Sequence, residues 1–377
     1  MTDPFLPVGE PRRPSRGPTG RRRRRQAADA RTPPQVSRRP SRRQARRRAH
    51  RLMVMATIFL ALLGVGAAFA YQDLNDNIAS QDVDGQLNAD VRPERKAPGA
   101  VNVLLLGSDS RSGSNREYGR DEGSARSDTA MVVHIADGRR DASVISIPRD
   151  TLVDRPACPT KSGAASAARA VMFNSAYEIG GMTCTVATVE RLSGLRMDHV
   201  VEIDFTGFKK LVGTLGGVRV NVPQDIRDPY SHARLSKGTH LLNGEQALGL
   251  VRTRHGIGDG SDLGRIKLQQ IFMKALITQI RSADLLTDPV QLYRLLDDLT
   301  SAITTDKGLG SLSALTSFAR SLDGLDADRV EFRTLPVAPA PQDPNRVVPQ
   351  EPQANAVWQA LSADRPLPAR SEKGGQS

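Results

Sequence analysis

From Leu52 to Tyr71 the chain reads LMVMATIFLALLGVGAAFAY, an apolar run without a single charge. About 20 such residues at ~1.5 Å each cross a hydrocarbon core of roughly 30 Å, so the run predicts a membrane helix over residues 52–71. The flanks orient it. Arg46, Arg47, Arg48 and Arg51 precede it, whereas Asp73, Asp76, Asp82, Asp84 and Asp90 follow, with no Lys or Arg before Arg92. Excess positive charge stays on the cytoplasmic side, which predicts a single-pass, type II cell-membrane protein with everything after residue 71 outside the cytoplasm. Ala68-Phe69-Ala70 also fits the small-x-small pattern of a cleavage site. Signal sequences, however, have an apolar stretch of only about 7–15 residues, and a retained anchor fits the long basic flank better.

Residues 1–51 hold 17 Arg and no Lys against Asp3, Glu10 and Asp29, a formal +14 in a chain whose total is +12. The basic balance is therefore a property of this segment. Built from Arg, Pro, Gly, Ser and Ala, it has too little apolar surface to offset the entropy of ordering and reads as a disordered cytoplasmic tail. Anionic membrane lipids are the partner its charge predicts. Nucleic acid is the alternative for an arginine run, but the tail lacks a folded reader and the exported part cannot reach DNA, so no nucleic-acid partner is expected. Cys158 and Cys184 are the two cysteines. Both lie in the exported part, where thiols oxidise, which predicts a disulfide, with two buried free thiols as the alternative.

Residues 72–98 are polar and acidic and end in Ala97-Pro98-Gly99, the composition of a stalk. Folded chain is expected from 99 to 335. Val101-Asn102-Val103-Leu104-Leu105-Leu106 reads as a strand buried on both faces, and Ala130 to Ile135 and Ala142 to Ile147 read as two more. Asp137-Gly138 between these two is a hairpin signal, so they should be adjacent and antiparallel. Asp204 is a good N-cap for a helix over Phe205 to Leu215, ended by Gly216-Gly217. Helices are also expected from Asn243 to Arg252, Leu263 to Ile280 and Val290 to Ile303. Strands interleaved with helices argue for an α/β fold, a three-layer α-β-α sandwich on a mixed sheet. The prolines at 336, 339, 341, 344, 349 and 352 read as a loosely held tail over 336–377.

Chemistry-bearing residues gather at predicted strand ends. Gly107-Ser108-Asp109-Ser110-Arg111 closes the first strand, Arg126-Ser127-Asp128-Thr129 opens the second, and Pro148-Arg149-Asp150-Thr151 follows the third. Ligands of open α/β sheets sit at such ends. Arg252-Thr253-Arg254-His255 and Asp262-Leu263-Gly264-Arg265, with Gln269 one helical turn on, add to them. Arg126, Arg149, Arg252, Arg254 and Arg265 suggest an anionic ligand, because guanidinium forks suit phosphate oxygens. Aspartates without a matching His or Cys set favour Mg²⁺, or Mn²⁺, over Zn²⁺. Arginines with a carboxylate-held cation are the equipment of phosphoryl transfer. Outside the cytoplasm no nucleotide pool supplies the activated phosphate, so a lipid diphosphate fits as donor. The apolar faces of the helices at 263–280 and 290–303 read as core, with a slot for a lipid chain as the alternative. His255 reads as a general base or as a structural histidine. No Gly-x-Ser-x-Gly elbow, His-Glu-x-x-His or Walker loop is present.

In this order the motifs VNVLLLGSDSR, ARSDTAMVVHI, VISIPRDT, FNSAYEIGG, VVEIDFTGFKKLVGTLGGVRVNVP, KGTHLLNGEQALGLVRTRH and DLGRIKLQQ resemble the LytR-CpsA-Psr family over Val101 to Leu335. The resemblance implies a phosphotransferase moving a glycopolymer phosphate (teichoic acid, arabinogalactan or capsule) from an undecaprenyl or decaprenyl diphosphate carrier to peptidoglycan in cell wall assembly. It implies a metal on Asp109 and Asp128, and a diphosphate held by Arg126, Arg149, Arg252, Arg254, Arg265 and Gln269, with Arg111 and Asp150 completing the shell. Arg149, Asp128 and Arg126 would carry the catalysis. A non-catalytic lipid-binding scaffold and a membrane-bound transcriptional attenuator are the alternatives. Two departures stand out: Gly213 replaces an expected Asp, and the loop from Ser112 to Ala125 is long and rich in Gly and Ser.

Overall fold

The computed structural model describes residues 42–108, 127–255, 257, 262–282 and 288–369, with the side chains of residues 42–45, 47–49, 91, 127, 128 and 282 outside that description. The chain divides into two units, residues 1–62 and 63–377. Helix α1 (Arg42–Asp76) contains the stretch His50–Asp76, long and apolar enough to cross a membrane. Its large side chains from Leu52 to Phe69 are exposed, as a lipid-facing helix requires.

The second unit is built on a seven-stranded sheet. Its strands are β1 (Ala79–Gln81), β2 (Val101–Ser108), β3 (Ser127–Ile135), β4 (Ala142–Ser146), β5 (His199–Asp204), β6 (Ile303–Asp306) and β7 (Val330–Thr334), in the order β1-β6-β5-β2-β3-β4-β7. The sheet is mixed: β2 runs parallel to β5 and antiparallel to β3, and β3 runs antiparallel to β4. Gly138 and Arg139 both take positive φ in the β3–β4 turn, as a tight hairpin demands. The longer helices of this unit are α2 (Phe173–Ser193), α3 (Phe205–Thr214), α4 (Gly244–Arg252), α5 (Asp262–Ser282), α6 (Pro289–Ala302), α7 (Leu312–Ser321) and α8 (Gln353–Ser362).

Helices cover both faces, giving the three layers. Leu104, Leu106, Val132 and Ile145 meet Phe173, Val186 and Val189 of α2 and Trp358 and Leu361 of α8. On the opposite face Val103, Met131 and Val144 meet Phe318 of α7. This alternation is why the apolar run of β2 is continuous. A separate cluster joins Val212 of α3, Leu250 of α4 and Leu268, Phe272 and Leu276 of α5 to the strand Val218–Val222. On α5, Leu268, Phe272 and Leu276 are buried in that cluster, and Leu295 and Leu299 of α6 pack against it partly buried, whereas Ile280 and Val290 are exposed.

Two expectations are corrected. Residues 72–98 are not a free stalk: β1 is an edge strand of the central sheet, and Arg92 forms a buried bidentate pair with Glu190 at 2.9 and 2.6 Å. Nor is the segment after residue 335 a loose tail. Val337–Ala340 and Asp343–Pro349 form a hairpin, and α8 buries Val357, Trp358 and Leu361 in the main core. Six prolines obscure the pattern in sequence, because Pro is compatible with hairpin edges and helix starts as well as with disorder.

Candidate active site

The end of β2, the start of β3 and the segment after β4 come together because β3 runs antiparallel to both neighbours. Gly107 pairs with Thr129 and Ser108 with Ser127, while Asp204 at the end of β5 faces Ser108 from the other side. Backbone polarity alone thus collects at one sheet end the motifs that lie far apart in sequence.

Two helices supply the remaining groups. Asn243 caps α4 through a reciprocal capping box with Gln246, which fixes where the helix starts, and Thr253 in extended conformation ends it just after Arg252. The Arg252 guanidinium lies 4.8 Å from the centre of the Phe205 ring at the head of α3, a cation–π contact. Helix α5 opens with Asp262, whose Oδ2 accepts from the Arg149 backbone N–H at 3.2 Å. Arg265, 2% exposed, pairs with Asp262 Oδ1 through Nη2 at 2.5 Å, and Gln269 one turn on donates to Thr129 Oγ1 at 2.9 Å and to Val251 O at 3.1 Å. Arg149 Nε lies 3.4 Å from Asp150 Oδ2 and 3.9 Å from Asp262 Oδ1. A buried Arg265 and a partly exposed Arg149, both held by carboxylates at one sheet end, present guanidinium groups suited to phosphate oxygens.

Arg149, Asp150, Arg252, Arg265 and Gln269 are therefore brought together. Arg254 is fixed by its backbone: its N–H and that of His255 donate to Asp228 Oδ2 at 2.9 and 3.0 Å, while Tyr230 and Ser231 donate to Oδ1. Burial pushes the Asp228 carboxyl up, and these four backbone donors outweigh it and hold the group below the usual carboxylate range. His255 is exposed and stacks near Tyr230 with ring centres 4.6 Å apart. Asp128 is the second residue of β3, next to Thr129. Asp109, Arg111 and Arg126 lie outside the described residues. Cys158 and Cys184 are bonded, with Cα atoms 5.4 Å apart. Gly213 has open space around its Cα and no part in the site contacts.

Sequence reasoning missed several groups here. Phe205, Thr129 and Asp262 stand inside motifs whose pattern assigns them no role of their own. At the end of β2, Ser108 Oγ lies 3.1 Å from Tyr177 Oη, which donates to Glu202 Oε1 at 2.5 Å. Burial holds the Glu202 carboxyl above its usual range against the hydrogen bonds from Tyr177 and Ser108, and burial then the nearby Glu202 charge push the Tyr177 phenol up. Nothing in the local pattern His199-Val200-Val201-Glu202-Ile203-Asp204 marks this network.

Residues 65–363 match the LytR_cpsA_psr family. The chain belongs to that family. The cell wall biosynthesis protein LcpA of Corynebacterium glutamicum is 30% identical over 313 residues, covering 76% of this chain and 60% of LcpA. The polyisoprenyl-teichoic acid–peptidoglycan teichoic acid transferase TagT of Bacillus subtilis is 34% identical over 241 residues, covering 61% of this chain and 69% of TagT. The chain thus spans between three fifths and seven tenths of these two relatives. Among solved structures, a LytR-Csp2A-Psr enzyme from Actinomyces oris shares the fold, with TM-score 0.56 and 23% identity over 76% of this chain and 96% of that one. The matched range takes in both α8 and the segment before β2, as expected of a LytR_cpsA_psr domain whose core includes them.

Proposed function

We propose that the chain is a cell wall transferase that moves a glycopolymer phosphate from a polyprenyl diphosphate carrier to a peptidoglycan hydroxyl, from an exported domain anchored by α1. The observation that carries this reading is the gathering of Arg149, Arg252, Arg265 and Gln269 around one sheet end. In the reaction the acceptor oxygen bonds to the glycan-bearing phosphorus, the bridging P–O bond breaks, polyprenyl monophosphate leaves and the hydroxyl proton is released. Negative charge grows on the phosphate oxygens and on the leaving bridge oxygen, where fixed guanidiniums stabilise it without reorganising. Arg265, buried and clamped by Asp262, holds a fixed position, while Arg149, a fifth exposed at its side chain, faces the substrate.

Asp109 and Asp128 are the residues we assign to Mg²⁺. Both are aspartates, adjacent in sequence to Ser108 and Thr129, and oxygen donors of this kind fit a hard cation. When bound, the ion would neutralise charge on the diphosphate.

The test uses the full chain in detergent with a polyprenyl-diphosphate glycan, Mg²⁺ and peptidoglycan fragments, following polyprenyl monophosphate release. Arg149→Ala and Asp128→Ala are each expected to lower release by roughly a hundredfold, the scale of removing one preorganised charge-stabilising group. Wild-type chain that binds the lipid but releases nothing would favour a lipid-binding scaffold.

A further inference from the structure

We propose that Arg346, on the C-terminal hairpin, is a positioning residue that acts on Arg149 through Asp150. The proposal rests on reading Arg149 as a ligand of the diphosphate. The charges form an alternating row. Arg346 Nη1 lies 3.2 Å from Asp150 Oδ1, the other oxygen of Asp150 lies 3.4 Å from Arg149 Nε, Arg149 lies 3.9 Å from Asp262 Oδ1, and Arg265 Nη2 lies 2.5 Å from that same oxygen. Each carboxylate is therefore shared between two guanidiniums.

The sharing decides what Arg149 can do. Facing two unshared carboxylates, its guanidinium would be held by more negative charge than it carries, and an incoming phosphate would have to compete for it. Arg346, which also lies 3.6 Å from Asp343 Oδ2, takes up part of the Asp150 charge, and Arg265 part of the Asp262 charge, so Arg149 is held by less than two full carboxylates and stays open to an anionic ligand. The side chains of Arg149, Asp150 and Arg346 are 21%, 23% and 33% exposed, enough burial to limit screening by salt.

The backbone attachment of the hairpin is independent of the Arg346 side chain. Val347 N–H donates to Asp150 O at 3.4 Å, and Thr151 forms a parallel bridge with Val347. Truncating Arg346 thus removes the charge and leaves the hairpin seated. Asp150 then has Arg149 as its remaining guanidinium and draws it away from the ligand.

The experiment compares the full chain in detergent with Arg346→Ala, Arg346→Lys, Asp150→Asn and Arg346→Ala/Asp150→Asn. Arg346→Ala is expected to lower monophosphate release about two- to fivefold, the scale of a partly exposed ion pair, chiefly as a higher KM. Arg346→Lys recovers part of the loss, and in the Asp150→Asn background Arg346→Ala adds nothing. A loss of equal size in that background overturns the proposal. A second readout needs no activity: melting temperatures of wild type, Arg149→Ala, Arg346→Ala and their double variant. Arg149→Ala should cost more in the Arg346→Ala background, because Asp150 then leans on Arg149 alone; shifts that simply add overturn the proposal. If wild type releases no monophosphate, the transferase reading falls, and the melting cycle still decides whether Arg346 acts on Arg149.

Discussion

Single residues carry this site by holding others in place. Asp228 is the plainest case: a carboxylate 2% exposed that accepts from the backbone N–H groups of Tyr230, Ser231, Arg254 and His255. It joins the turn of one hairpin to the segment that presents Arg252 and Arg254. These four donors outweigh burial and hold its carboxyl below the ordinary aspartate range in the folded protein. A depressed carboxylate contributes stability that is present above the unfolded pKa and lost as pH falls through the folded one. Melting temperature should therefore fall below about pH 4, and Asp228→Asn should be less stable than wild type at pH 7 while losing less on acidification. Parallel melting curves for the two proteins across pH 3–7 would contradict this account.

At the scale of elements, α2 shows how a close approach shapes the fold. Its backbone leaves helical geometry at Gly180 and Gly181, the latter at φ +58°. A Cβ on Gly180 would lie 2.2 Å from Pro159 O and 2.6 Å from Cys184 Cβ, so the short strand at Cys158–Pro159 reaches α2 only across a glycine. The disulfide closes at that contact. Gly180→Ala is expected to push the strand off the helix, leaving free thiol detectable under denaturing conditions, and to lose much of the roughly 3 kcal/mol that closing such a loop contributes. A variant with no free thiol and wild-type stability would show that the strand accommodates the extra methyl.

At the scale of the molecule, the domain is closed by its C-terminal segment. Trp358, the only tryptophan in the chain, is 4% exposed and shares the main core with Leu104, Val132 and Ile145 of the sheet. Removing residues 353–377 would uncover that face of the sheet. The shortened chain is expected to lose cooperative unfolding, and Trp358→Ala to cost about 3–5 kcal/mol in urea titrations. An unchanged unfolding midpoint after truncation would mean that α8 is an accessory element.

The sequence by itself determined what depends on local pattern. The uncharged run of α1, the two-faced strand β2, the caps at Asp204 and Asn243, and the arginines at strand ends are written within a few residues, where periodicity, capping chemistry and charge act. Helix α2 escaped that reading because it is buried on nearly every side and interrupted by Gly180-Gly181, so it shows no polar stripe. The hairpin at 337–349 and α8 escaped it because their prolines look like a linker until a core is available to receive Trp358. Only the tertiary structure decided that Arg346 meets Asp150, that Gln269 reaches Thr129, and that Tyr177 and Glu202 share a hydrogen bond at the end of β2. Each of these contacts joins segments whose separation along the chain carries no periodic signal; antiparallel pairing and helix packing bring them within a few ångströms.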